Sequence, residues 1–152
     1  MFQGLHGCLL DEKGRVAFPA PLRSALAESG GGETFVLTLS FYEPCLVAHT
    51  EAAFLAQAEK VRALPPSNPA VMEYKRVVIA SATQSTIDKA GRVSIPKELR
   101  EYAGLEREVV WAGVIDSVEL WSKQRWDARN QKRLNDKEAL DAYRRVLESH
   151  GL

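Results

Sequence analysis

The sequence predicts an α+β fold, mainly β with short helices, in which two tandem copies of one unit are related by a pseudo-twofold and followed by a C-terminal helix. Three observations predict it. Asp11, Gly14, Arg15, Val16, Pro19, Leu22 and Arg23 recur in the same order and spacing at Asp88, Gly91, Arg92, Val93, Pro96, Leu99 and Arg100, at a constant offset of 77 residues. Polar and apolar residues alternate around each Asp-to-Gly segment, as half-buried strands require. The chain has 152 residues and is 45% hydrophobic, enough for two small lobes sharing one core.

Each copy reads as strand, tight turn, strand, helix. In the second, Ser85 to Ile87 lead into Asp88, Lys89, Ala90 and Gly91, and Arg92 to Ile95 then alternate polar with apolar. An Asp side chain accepts from backbone N–H groups just ahead, and Gly takes positive φ without a Cβ clash, so Asp11, Gly14, Asp88 and Gly91 are turn-formers. Pro96 suits the first position of a helix, and Glu98 suits its first turn. Leu99, Tyr102 and Ala103 then share a face before Gly104. The first copy repeats the plan from Pro19 through Leu22 and Leu26 to Gly30–Gly32, with Pro21 tolerable in the first turn.

An apolar strand pair follows each helix: Phe35–Leu39 with Cys45–Ala48, and Val109–Ala112 with Val118–Trp121. Between the halves, Thr50 caps a helix through Phe54, Ala58 and Val61 that ends at Pro65 and Pro66, and Asn68 and Pro69 restart one through Met72 and Val78. Ser122 caps a further helix that begins near Arg125 and carries Trp126, and Asn135 and Asp136 weaken or break it. Leu140, Tyr143 and Leu147 beyond it form a narrow apolar seam. The expected organisation is a first repeat at 1–49, a helical connector at 50–81, a second repeat at 82–122 and a C-terminal helical segment at 123–152.

Lys plus Arg equals Asp plus Glu at 20 each, so the global charge indicates no polyanionic partner. Residues 123–152 carry 8 basic and 5 acidic side chains, which suits a solvated helix. Cys8 and Cys45 fit neither a zinc motif nor a disulfide framework, so a reducing cytoplasm is the expected compartment. No signal peptide or membrane span is expected. His6, His49 and His150 are scattered, no nucleophile motif occurs, and Gly30–Gly32 follow a helix where a phosphate loop must precede one. The expectation is therefore no enzyme, no catalytic residue, no metal, no cofactor and no small-molecule substrate. Trp111, Trp121 and Trp126 fall in strand and helix patterns without interleaved cations, which suits packing over base stacking.

Two readings of Arg15 and Arg92 stand side by side. Each follows a tight turn, where a guanidinium fork matches a phosphate or a guanine edge. Each also lies within reach of Asp11 or Asp88 to lock its turn by an ion pair. Lys13 and Lys89 add a cation to each tip, and the first tip also holds Glu12. Arg23 and Arg100 fall in the following helices, where a surface ion pair is expected.

These residues and their order resemble the MraZ family, the double-motif members of the AbrB-like, SpoVT-type swapped-hairpin proteins. The stretch IDKAGRVSIPKELREYAGL, from Ile87 to Leu105, looks like the family's second motif, and Met1, Phe2 and Gly4 with the later DEKGRVAFP look like its first. The likeness runs from residue 1 to about 130. It implies two tandem swapped-hairpin, β-barrel-like repeats. It further implies a regulator that binds repeated promoter elements upstream of the division and cell-wall gene cluster and at its own promoter, assembled as a homo-oligomeric ring on double-stranded DNA in the nucleoid. Carried over by position, Asp11 with Arg15 and Asp88 with Arg92 face DNA, with Lys13 and Lys89 beside them. The chain departs from the family at Gln3, at His6 to Cys8, and after Leu46, where the usual aromatic and proline are missing. An interaction scaffold and a toxin-neutralising regulator are the alternatives. A chain of zero net charge has little general attraction to DNA, so several subunits on spaced repeats are expected to act together.

Overall fold

The computed structural model describes all 152 residues. Its organising element is a two-stranded antiparallel ribbon made of one short strand from each repeat, β2 (Arg15–Ala17) and β6 (Arg92–Ser94). Val16 stands opposite Val93, Arg15 opposite Ser94, and Ala17 opposite Arg92. The pairing extends one residue further at both ends: Phe18 N–H donates to the Gly91 carbonyl and Ile95 N–H to the Gly14 carbonyl, each at 2.8 Å. Exchanging the repeats maps the Val16–Val93 pair onto itself and each of the other pairs onto another, because all the partners are related by the same 77-residue offset.

The larger sheet obeys the same exchange. It comprises β1 (Phe2–Leu9), β3 (Thr34–Leu39), β4 (Leu46–His49), β5 (Thr83–Thr86), β7 (Glu108–Ile115) and β8 (Ser117–Ser122), in the order β1-β7-β8-β4-β3-β5. Every pairing is antiparallel. The first strand of each repeat therefore pairs with the third strand of the other, while β4 and β8 meet in the middle with Leu46 opposite Leu120. From Leu46 to Leu120 the offset is 74, because the first helix and its glycine-rich exit are three residues longer than their counterparts.

The core follows from this exchange. Leu10 and Ile87, Val16 and Val93, Phe18 and Ile95, Leu22 and Leu99, Phe35 and Val109, and Leu37 and Trp111 are all buried in one cluster, so equivalent positions fill equivalent space. Phe18 stacks on Phe35 at 5.2 Å and meets Trp111 edge-on at 5.0 Å, with ring geometry favourable for aromatic pairs. Trp111 also donates its indole N–H to the Ala17 carbonyl at 3.0 Å, which ties the large sheet to the ribbon.

Helix α1 (Ala20–Glu28) follows β2, and α4 (Lys97–Ala103) follows β6. Pro19 and Pro96 stand one residue before the expected position, as N-caps with ψ of 137° and 145°. The ribbon pairing runs through Phe18 and Ile95, so the backbone is still extended at each proline and turns only after it. Thr50 caps α2 (Glu51–Arg62) by accepting from Ala53 N–H, and Asn68 caps α3 (Pro69–Tyr74), which continues as a π-helical turn over Lys75–Ile79. Ser122 caps α5 (Lys123–Asn135), whose Trp126 packs edge-on against Trp121 at 5.6 Å. Asp136 ends α5 and caps α6 (Lys137–Ser149). These last two helices run 13 residues each. No helix is long and apolar enough to cross a membrane.

The Trp111 indole bond gives a direct test of how the ribbon is anchored. Trp111→Phe keeps most of the ring volume but leaves the Ala17 carbonyl without its donor, and is expected to cost about 1–3 kcal/mol. Urea unfolding followed by circular dichroism measures it.

Candidate nucleic-acid interface

Each tip is wound around its aspartate. At the first, Asp11 Oδ1 accepts from the backbone N–H groups of Lys13 and Arg15, both at 2.9 Å, and the Asp11 N–H donates to the Arg15 carbonyl at 2.8 Å. At the second, Asp88 Oδ1 accepts from Ala90 and Arg92, both at 2.9 Å, and the Asp88 N–H donates to the Arg92 carbonyl at 2.8 Å. One carboxylate oxygen thus satisfies two backbone donors in a four-residue loop. Gly14 and Gly91 complete the turns at φ of 77° and 76°, where a side chain would be strained. These bonds, led by the one from the arginine backbone, hold both carboxyls below the ordinary carboxylate range.

The arginines emerge from this frame on one surface. Residues i and i+2 of a strand share a face, and directly opposed residues share it too. Arg15, Ala17, Arg92 and Ser94 therefore line one face of the ribbon, while Val16 and Val93 enter the core at 1% exposure each. Ala17 and Ser94 are exposed and small, so the two guanidiniums flank a low floor. As diagonal neighbours their Cα atoms are roughly 7–8 Å apart.

Arg15 Nε donates to Asp11 Oδ2 at 2.7 Å, and Arg92 Nε to Asp88 Oδ2 at 3.3 Å. The two sequence readings are therefore compatible in geometry: Nε locks the turn, and the Nη groups have no intrachain partner. Lys13 and Lys89 are exposed and make no ion pair, but they are not equivalent positions. Lys89 matches Glu12, and Lys13 matches Ala90.

The helix arginines were not separable from ordinary surface residues by local pattern. Arg23, on α1 of the first repeat, lies beside Gly91 of the second tip; Arg100, on α4 of the second repeat, lies across Gly14 of the first. Arg23 pairs with Glu33, which is outside its helix, and Arg100 has no ion pair. This crossing arises from strand exchange, which no local signal in either repeat records.

A family model described as MraZ protein matches residues 1–76 and, separately, residues 78–147. The chain belongs to the MraZ family. Both halves match the one model, in keeping with the internal repeat, and the second match carries the likeness through most of α6. Among relatives, a protein of Thermomicrobium roseum is 40% identical over 129 residues, covering 85% of this chain and 87% of its own. One of Nocardioides sp. is 39% identical over 125 residues, covering 82% and 83% respectively. One of Halorhodospira halophila is 37% identical over 142 residues, covering 93% of each. All three bear the name Transcriptional regulator MraZ.

The aspartate frames give this MraZ-family chain a specific acid response. A carboxyl whose folded pKa is depressed contributes stability that is complete above its unfolded value, 3.8 for these residues, and that is lost as pH falls below it. An Asp11→Asn, Asp88→Asn double variant is expected to be less stable than the parent at neutral pH, with the gap closing below about pH 4. Denaturant midpoints measured across pH check this, and a gap independent of pH contradicts it.

Proposed function

We propose that this chain is a DNA-binding transcription regulator that places the ribbon face carrying Arg15 and Arg92 in the major groove of double-stranded promoter DNA. One observation carries the reading: two guanidiniums, each braced through Nε by its own aspartate, stand on the solvent face of a two-stranded β-ribbon. Such a ribbon fits the major groove, and a braced guanidinium presents its remaining donors to guanine O6 and N7 or to phosphate oxygens with little further loss of entropy. The names of the relatives support a role in transcription regulation.

In this reading the two repeats are swapped hairpins that share one barrel-like lobe, divided as 1–49 and 82–122, with 50–81 as connector and 123–152 as helical tail. Asp11, Gly14, Asp88 and Gly91 shape the tips; Lys13, Arg15, Lys89 and Arg92 meet DNA. The resemblance directs the protein to repeated elements before the division and cell-wall genes and its own gene, acting in the cytoplasm at the nucleoid.

A ring of subunits supplies what one lobe lacks. Net charge is zero, so a single lobe has weak general attraction to DNA, whereas linked lobes on spaced repeats gain from effective concentration. The exposed apolar residues of α6, Tyr143, Val146 and Leu147, support self-association.

Arg15→Ala and Arg92→Ala are each expected to weaken binding to a duplex carrying the repeats by about 1–3 kcal/mol per engaged subunit if each arginine reads a guanine. Fluorescence anisotropy measures the affinity, with light scattering and circular dichroism to confirm assembly and folding. Unchanged binding by folded, assembled variants, or affinity insensitive to salt, overturns the reading in favour of a protein-interaction scaffold.

A further inference from the structure

The two tips share a backbone plan but not a charge plan. Arg100 lies flat across Gly14: a Cβ added there would stand 2.8 Å from its Cζ and 2.9 Å from its Nε. Arg23 lies beside Gly91, where an added Cβ would stand 3.7 Å from its Nη1. Each helix arginine is thus lent to the tip of the other repeat.

Their partners differ. Arg23 is held by Glu33, through Nε at 3.1 Å and through Nη2. Arg100 has no carboxylate partner, and its Nε is buried without an acceptor. The backbone identifies the residue that stands where Glu33 would. Ile87 N–H donates to the Glu33 carbonyl at 2.9 Å, and the equivalent Leu10 N–H donates to the Arg107 carbonyl at 2.8 Å. At this equivalent backbone position the first repeat carries a glutamate and the second an arginine, and both residues are exposed.

We propose that Arg100 and Arg107 form a phosphate subsite at the base of the first tip, and that Glu33 cancels the corresponding subsite at the second. The ligand is a phosphodiester oxygen of the duplex, so the inference rests on the DNA reading above and adds to it that the tips are unequal. The chain supplies Arg100 with no negative charge, and a phosphate oxygen does so in the geometry guanidinium favours. At the second tip an incoming phosphate would have to compete with the Glu33 carboxylate for Arg23. The first tip therefore binds backbone more strongly, and one lobe docks on DNA in a preferred orientation despite its near-symmetry.

The full-length protein is titrated against two duplexes of equal length, one with the promoter repeats and one of random sequence, over a range of salt. A phosphate contact is lost alike on both duplexes, and its removal reduces the salt slope by about 1 per engaged subunit. Arg100→Gln and Arg107→Gln are expected to show this reduction. Arg100→Lys restores the charge and most of the slope, which separates charge from packing over Gly14. Glu33→Gln is expected to tighten binding to both duplexes and steepen the slope. Glu59→Gln makes the same change of charge on α2, where Glu59 pairs with Arg62, and is expected to leave binding near the parent's.

If Glu33→Gln tightens binding no more than Glu59→Gln, and Arg100→Gln and Arg107→Gln keep the parental slope while Arg15→Ala still weakens binding, the unequal tips are refuted and the tip reading survives. If the parent binds neither duplex, both fall together.

Discussion

The pairing of Val16 with Val93 is the constraint on which the other features depend. It brings two short strands from distant parts of the chain into one ribbon, and its alternation sends the valines inward and Arg15 and Arg92 outward. Neither strand is long enough to persist alone. Each is held at its ends by the partner's glycine carbonyl and from below by Phe18, Ile95 and the Trp111 indole. The surface that the arginines share therefore exists only when both repeats are folded against one another.

The aspartates turn this ribbon into something more exact than a pair of flexible tips. Each uses one oxygen on the backbone and the other on the arginine Nε. An ion pair on the surface contributes little to stability, but here it restricts where the guanidinium points. Turn lock and DNA reader therefore stop being competing descriptions of Arg15 and Arg92. Nε of each arginine locks its turn, and the Nη groups are left for the proposed DNA contact.

Much of the fold was legible because it is written in local chemistry. The turns at Asp11–Gly14 and Asp88–Gly91, the caps at Thr50 and Ser122, the helix start at Asn68, the helix break at Asp136 and the strand alternation all depend on neighbours within a few residues, and the structure places them as expected. Pairing across the repeats was not legible in the local residue pattern, and only the family resemblance implied it. Nothing near β1 says that its partner is β7 rather than β3, because that choice is settled by burial of Leu10, Phe35 and Val109 in a common core. Pro19 and Pro96 stand one residue ahead of the expected helix position for the same reason, since ribbon pairing holds the chain extended past the expected helix start. The lending of Arg23 and Arg100 to opposite tips follows from that exchange, and so lay beyond any reading of one repeat at a time.

If DNA meets the face built jointly by the two tips, binding must shield that face. Hydrogen–deuterium exchange of the assembled protein, with and without the repeat-bearing duplex, reads this shielding residue by residue. Protection on DNA binding is expected to concentrate in peptides covering residues 11–18 and 88–95, with α2 and α3 unchanged. Protection confined to α2, α3 or α6, with both tips exchanging as in the free protein, would contradict it.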